Sequence, residues 1–94
     1  MPEQIPYGFS NIANGQVTMT GEAVQLPNNP ATKVTLNGLK ANAHPIYVGG
    51  AGVTAETGLE IEAGGYPVEV DVANTAMLYA IGTASDVLSF VALY

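Results

Sequence analysis

Leu59-Glu60-Ile61-Glu62 and Val68-Glu69-Val70-Asp71-Val72 alternate strictly between apolar and acidic residues, with Ala63-Gly64-Gly65 turning the chain between them. Side chains on a strand point to opposite faces in turn, so this period of two predicts two half-buried β-strands. Each would carry an apolar face toward a core and an acidic face toward water.

The same reading extends in both directions. Val17-Thr18-Met19-Thr20, Ala23-Val24-Gln25-Leu26, Lys33-Val34-Thr35-Leu36, Ile46-Tyr47-Val48 and Met77-Leu78-Tyr79-Ala80-Ile81 are short runs rich in β-branched and aromatic residues. Turn residues separate them: Gly21-Glu22, Pro27-Asn28-Asn29-Pro30, Asn37-Gly38 (a turn or bulge), Gly49-Gly50-Ala51-Gly52 and Thr83-Ala84-Ser85-Asp86. Leu39 to Ala43 is read as resuming the strand after that bulge, and Ala73-Asn74-Thr75-Ala76 as a link with room for one short helical turn. No segment has the i, i+3, i+4, i+7 pattern of an amphipathic helix. The connections are too short for βαβ crossovers, which leaves antiparallel pairing. The predicted fold is all-β, a small antiparallel β-sandwich or jelly-roll of seven or eight short strands.

The last strand, Val87-Leu88-Ser89-Phe90-Val91-Ala92-Leu93-Tyr94, is apolar at nearly every position. A strand with one wet face would alternate, so both faces are expected to be covered, one of them by another subunit or by an N-terminal arm. Residues 1–15 hold Pro2, Pro6, Gly8 and Gly15 and show no period. They are read as an extended N-terminal arm with aromatic anchors at Tyr7 and Phe9, and residues 16–94 as a single β-sandwich domain.

The chain has 94 residues, 48% hydrophobic and 11% charged, with two lysines against eight acidic residues and a formal net charge of −6. Disorder is excluded by the apolar content. Nucleic acid and anionic membrane surfaces are excluded as partners because both require clustered cations. Without cysteine there is no disulfide, thiolate nucleophile or zinc ribbon. No run reaches the ~18 apolar residues of a membrane span, and Met1-Pro2-Glu3-Gln4 lacks a basic start and an apolar core, so the chain is expected to act without secretion. So low a charged fraction, against the usual ~25%, favours a domain that hides surface in an assembly.

Chemistry-bearing patterns are sparse. His44 is the only histidine and precedes Pro45 in a loop, and none of Ser10, Ser85 or Ser89 lies in a nucleophile elbow. It is read as a loop histidine without a site role. Glu60, Glu62, Glu69 and Asp71 would share one sheet face if their strands were neighbours. They could then hold a cation or form an acid–base pair, while a solvated sheet face accounts for the same alternation. The glycine run 49–52 lacks the Lys and helix of a phosphate loop and reads as a tight turn. Tyr47, Tyr79 and Phe90 are assigned to the core, and Tyr7, Phe9, Tyr66 and Tyr94 to surface or interface. No catalytic residue, metal or cofactor is assigned, and the chain is not expected to be an enzyme.

Val34-Thr35-Leu36, Ile46-Tyr47-Val48-Gly49-Gly50, Val53-Thr54-Ala55-Glu56-Thr57-Gly58-Leu59, Ala63-Gly64-Gly65-Tyr66-Pro67-Val68-Glu69-Val70-Asp71 and Leu78-Tyr79-Ala80-Ile81-Gly82-Thr83-Ala84 follow one another in order. Over these residues, about two-thirds of the chain, it resembles small β-sandwich structural proteins of tailed bacteriophage virions. The resemblance implies a capsid decoration (cement) protein made in the host cytoplasm and carried on the outer surface of the capsid. Its partners would be copies of itself, with a homotrimer favoured, and the major capsid protein. The expected oligomer interface is Val87, Ser89, Val91, Leu93 and Tyr94, and the expected capsid-contacting arm is Ile5, Tyr7, Phe9 and Ile12. A tail-fibre, neck-fibre or baseplate module that binds a host surface or glycan is the alternative.

Overall fold

The computed structural model describes residues 10–94. Eight strands form two four-stranded antiparallel sheets: β1 (Ile12–Thr18), β2 (Val24–Gln25), β3 (Lys33–Gly38), β4 (Ile46–Gly49), β5 (Leu59–Ile61), β6 (Val68–Val70), β7 (Tyr79–Ile81) and β8 (Val87–Leu93). Strand order is β1-β8-β3-β6 in the first sheet and β2-β7-β4-β5 in the second. The pairs 1–8, 2–7, 3–6 and 4–5 are nested, as if one long antiparallel ribbon had been rolled onto itself. This is the jelly-roll order.

The inner faces supply the core. Val34 and Leu36 of β3, with Leu88, Phe90 and Ala92 of β8, face Ile46 and Val48 of β4, Ile61 of β5 and Ala80 of β7. Met19, Leu26 and Leu78 close the ends and are also buried. In β3, β4, β7 and β8 burial alternates with a period of two, because burial on one face is what selects that register.

The link between β6 and β7 does make one short helical turn, at Thr75–Met77. The Asn74 side chain caps it by accepting the Ala76 N–H at 2.8 Å. Thr75 is fully buried beneath the Pro27–Pro30 loop. Its hydroxyl donates to the Pro27 carbonyl and accepts the Asn29 N–H. The loop that the sequence marked as a break is therefore fixed by one threonine 46 residues away.

Three local readings change. β1 begins at Ile12, so residues 12–15 belong to a strand and not to the arm. The strand read at Val17-Thr18-Met19-Thr20 therefore starts five residues earlier and ends at Thr18. Ile5, Tyr7 and Phe9 lie outside the described residues. Asn37-Gly38 is the end of β3 instead of a turn or bulge, and residues 39–43 do not resume the strand but turn at Lys40-Ala41, with the Asn42 N–H donating to the Leu39 carbonyl at 3.0 Å. There the Asn42 side chain both donates to the Val87 carbonyl and accepts the Val87 N–H, each at 2.8 Å, doing the work of a strand neighbour.

Candidate functional site

β8 lies at the centre of its sheet, paired along its length with β1 on one side and β3 on the other. Leu88, Phe90 and Ala92 point inward and are buried, while Val87, Ser89, Val91 and Leu93 point outward. Within the described chain the outward face remains partly exposed, at 38% for Val91. The cover expected for that face, another subunit or the N-terminal arm, lies outside the described residues.

Register assembles the surface around these residues. Ile12 and Lys33 flank Leu93, Asn14 and Thr35 flank Val91, and Gln16 and Asn37 flank Ser89. The residue types run from apolar at the Ile12–Leu93 end to uncharged polar at the Ser89 end. A shallow groove of about 300 Å³ opens over Asn14, Gln16, Thr35, Asn37, Ser89 and Pro67. Ser89 donates its hydroxyl hydrogen to the Asn37 carbonyl at 3.2 Å. The Asn37 Oδ1 is buried and accepts no hydrogen bond among the described residues. Tyr94, the last expected interface residue, bonds through its backbone to Ser10 and Asn11 and continues the β1–β8 ladder.

Sequence reasoning missed Asn14, Gln16, Thr35 and Asn37 as members of this surface. The signal available was the parity of Thr35 and Asn37 with Lys33, which puts them opposite to Val34 and Leu36. Ile12, expected on the capsid-contacting arm, instead stands at the edge of the same surface and is 70% exposed.

Charge on this outer face begins at Lys33, beside Leu93, and continues onto β6 and the residue after it. Lys33 Nζ lies 3.4 Å from Asp71 Oδ1 and 3.6 Å from Glu69 Oε1. Asp71, through a hydrogen bond and its charge, and then the charge of Glu69 hold the Lys33 ammonium above its ordinary value of 10.5, against a small opposing effect of burial.

The acidic alternation does not make a site. Glu60 is on β5 in the second sheet, followed by Glu62, whereas Glu69 is on β6 in the first, followed by Asp71. The strands that flank the Gly64-Gly65 turn cross from one sheet to the other, so the four carboxylates do not share a face. Among the described residues no group of three or more His, Cys, Asp or Glu side chains is close enough to hold a metal ion. His44 faces Asp86, with Nδ1 3.5 Å from Oδ2. That carboxylate also accepts the backbone N–H groups of Ala43 at 3.1 Å and His44 at 3.2 Å, which ties the loop before β4 to the loop before β8. The glycine run closes a turn through Val53 N–H to Gly50 C=O at 3.1 Å, with Gly52 at φ +89°, a backbone state that suits glycine. Phe90 is in the core as expected. Tyr47 and Tyr79 are not: both stand half-buried on the outer face of the second sheet, since their strands bury the opposite parity. Tyr66 is 94% exposed.

No protein-family model matches the chain, and no curated protein does. Among solved structures, one described as "Bacillus endospore appendages form a novel family of disulfide-linked pili" is similar over 99% of this chain and 97% of that one, at 15% identity and a TM-score of 0.42.

Proposed function

We propose that this chain is a structural component of a tailed-phage virion, a capsid decoration protein that binds the outer surface of the head and bridges major capsid protein subunits. The observation that carries the reading is the outer face of β8. It is a solvent-facing row of uncharged residues, Val87, Ser89, Val91 and Leu93, widened by Ile12 and bounded by Lys33 on β3, on a domain with a net charge of −6. Surfaces of this kind on small acidic domains serve contacts with protein. The sequence resemblance supplies the particle to which the contact would belong.

In this reading the subunits associate through that face, with the trimer favoured, and residues 1–9 reach the capsid. Many copies acting together turn a modest energy per site into high avidity. The protein works by binding and performs no catalysis.

The test is occupancy on undecorated, expanded heads of the phage that carries the gene. The full chain is expected to bind saturably at a fixed number of copies per head. Deletion of residues 2–9, which spares β1, is expected to abolish binding with the thermal transition retained. Val91→Glu is expected to lose association through the outer face of β8. Absence of saturable head binding by the full chain overturns the reading, and binding to host cells instead favours the fibre or baseplate alternative.

A further inference from the structure

The two sheets have four edge strands, and three of them are guarded. β2 has two residues and is followed at once by Leu26-Pro27. β5 has three residues and carries Glu60, with Glu62 immediately after it. β6 has three residues centred on Glu69, between Pro67 and Asp71. Short length, charge and proline are the devices that keep an open ladder from pairing with another chain. β1 has none of them. It is seven residues long, and residues 10–20 contain neither a charge nor a proline.

The hydrogen-bond pattern shows which groups β1 leaves open. Asn11 and Tyr94 exchange N–H···O bonds at 2.8 and 3.0 Å, and Met19 N–H donates to the Asp86 carbonyl at 2.7 Å. In an antiparallel ladder such bonded pairs recur at every second residue. Asn11, Ala13, Gly15, Val17 and Met19 therefore bond inward to β8. The backbone groups of Ile12, Asn14, Gln16 and Thr18 point away from the sheet, and no described strand meets them.

We propose that β1 is a self-pairing edge: β1 of a second copy of this chain lies antiparallel to it about a twofold axis at Gly15. The set of open groups chooses this register. Ile12 opposite Thr18 and Asn14 opposite Gln16 bring all four open residues of each copy into bonded pairs, giving eight N–H···O bonds. Moving the axis by one residue, to Asn14 or Gln16, leaves one open residue of each copy without a partner. The side chains fit the same register. β-branched Ile12 meets Thr18 and the amide of Asn14 meets that of Gln16 on the outer face, which are favourable cross-strand pairs. On the inner face Ala13 meets Val17, and both already pack against the core. Charge selects the same edge, because two copies that each carry −6 can meet along β1 without apposing carboxylates. The contact is isologous, so it closes at two copies. It is distinct from the outer face of β8 invoked for the virion reading and does not rest on it.

The test uses the full chain. Sedimentation equilibrium is expected to give a reversible, concentration-dependent equilibrium with a dimer or another even-numbered species. Gln16→Pro removes an outward N–H that the monomer does not use. It is expected to weaken this step about tenfold, since two of the eight bonds go. Because the chain has no native cysteine, crosslinking gives an independent reading of register even where the proline variant fails to fold. Bonded cross-strand pairs put Cα atoms about 5.5 Å apart, within disulfide range. A mixture of Asn14→Cys and Gln16→Cys chains is expected to form the mixed disulfide dimer in clear excess over either variant alone. A chain that stays monomeric or purely trimeric, or crosslinks that form equally in all three samples, overturns the proposal. Head binding is read in a separate assay, so each reading fails on its own.

Discussion

The ring of Phe90 lies directly over Gly15. The two are register partners on β8 and β1, and a Cβ built on Gly15 would sit 3.0 Å from Phe90 Cζ and 3.2 Å from Cε2. Phe90 is 2% exposed. The glycine is kept for space, since its backbone is ordinary strand. Gly15→Ala is expected to lower unfolding free energy by about 1–3 kcal/mol, the usual cost of overpacking. In a Phe90→Leu background the same change is expected to cost less. A double-mutant cycle in urea measures the coupling, and strict additivity would contradict the contact.

Asp86 is expected to be a stability residue. Its buried carboxylate accepts two backbone N–H groups from residues 43 and 44. Asp86→Ala removes that acceptor from both; Ala43 and His44 are exposed, so water can take its place, and the expected cost is the net worth of a hydrogen bond, about 0.5–1.5 kcal/mol each. Asp86→Asn keeps one acceptor oxygen and is expected to fall between Ala and the native residue. Chemical denaturation of the three proteins gives the order.

Thr75 separates hydroxyl from methyl. Thr75→Val preserves shape but orphans the Pro27 carbonyl and the Asn29 N–H, with an expected loss of about 1–3 kcal/mol. Thr75→Ser keeps the hydroxyl and gives up one methyl, about 0.8 kcal/mol. Thermal unfolding is expected to rank the native protein, then Ser, then Val. A Val variant as stable as Ser would show that the hydroxyl bonds are dispensable.

Lys33 gives a pH signature. Its folded pKa is raised above the unfolded 10.5 by Asp71 and then Glu69. A raised pKa stabilises the fold fully below the unfolded value and ceases to do so as pH rises through the folded value. The stability gap between the native protein and Lys33→Gln is therefore expected to be flat from neutral pH toward 10.5 and to close at more alkaline pH. Salt is expected to narrow it as well, because both carboxylates that face Lys33 are exposed. Stability measured across that range checks both statements.

The outer surface of the first sheet was half legible. The parity of Val87, Ser89, Val91 and Leu93 follows from the period of two. Ile12, Asn14 and Gln16 were hidden because the inner positions of β1 are Ala13, Gly15 and Val17. Two of these are too small to give an apolar alternation, and the missing volume comes from Phe90 on the neighbouring strand.

The sequence alone was enough to identify an all-β chain, because burial on one face imposes a period of two wherever a strand forms, as at Leu59–Ile61 and Val68–Val70. It also marked the breaks at Pro27–Pro30 and the short turn near Asn74, which depend on local backbone chemistry. Which strands become neighbours was decided only in the tertiary structure. β1 meets β8 across most of the chain, and Glu60 is separated from Glu69 by the gap between two sheets. Alternation records that a face is buried without recording against what. The partner is chosen by closing the whole core at once, and no segment of the chain carries that information by itself.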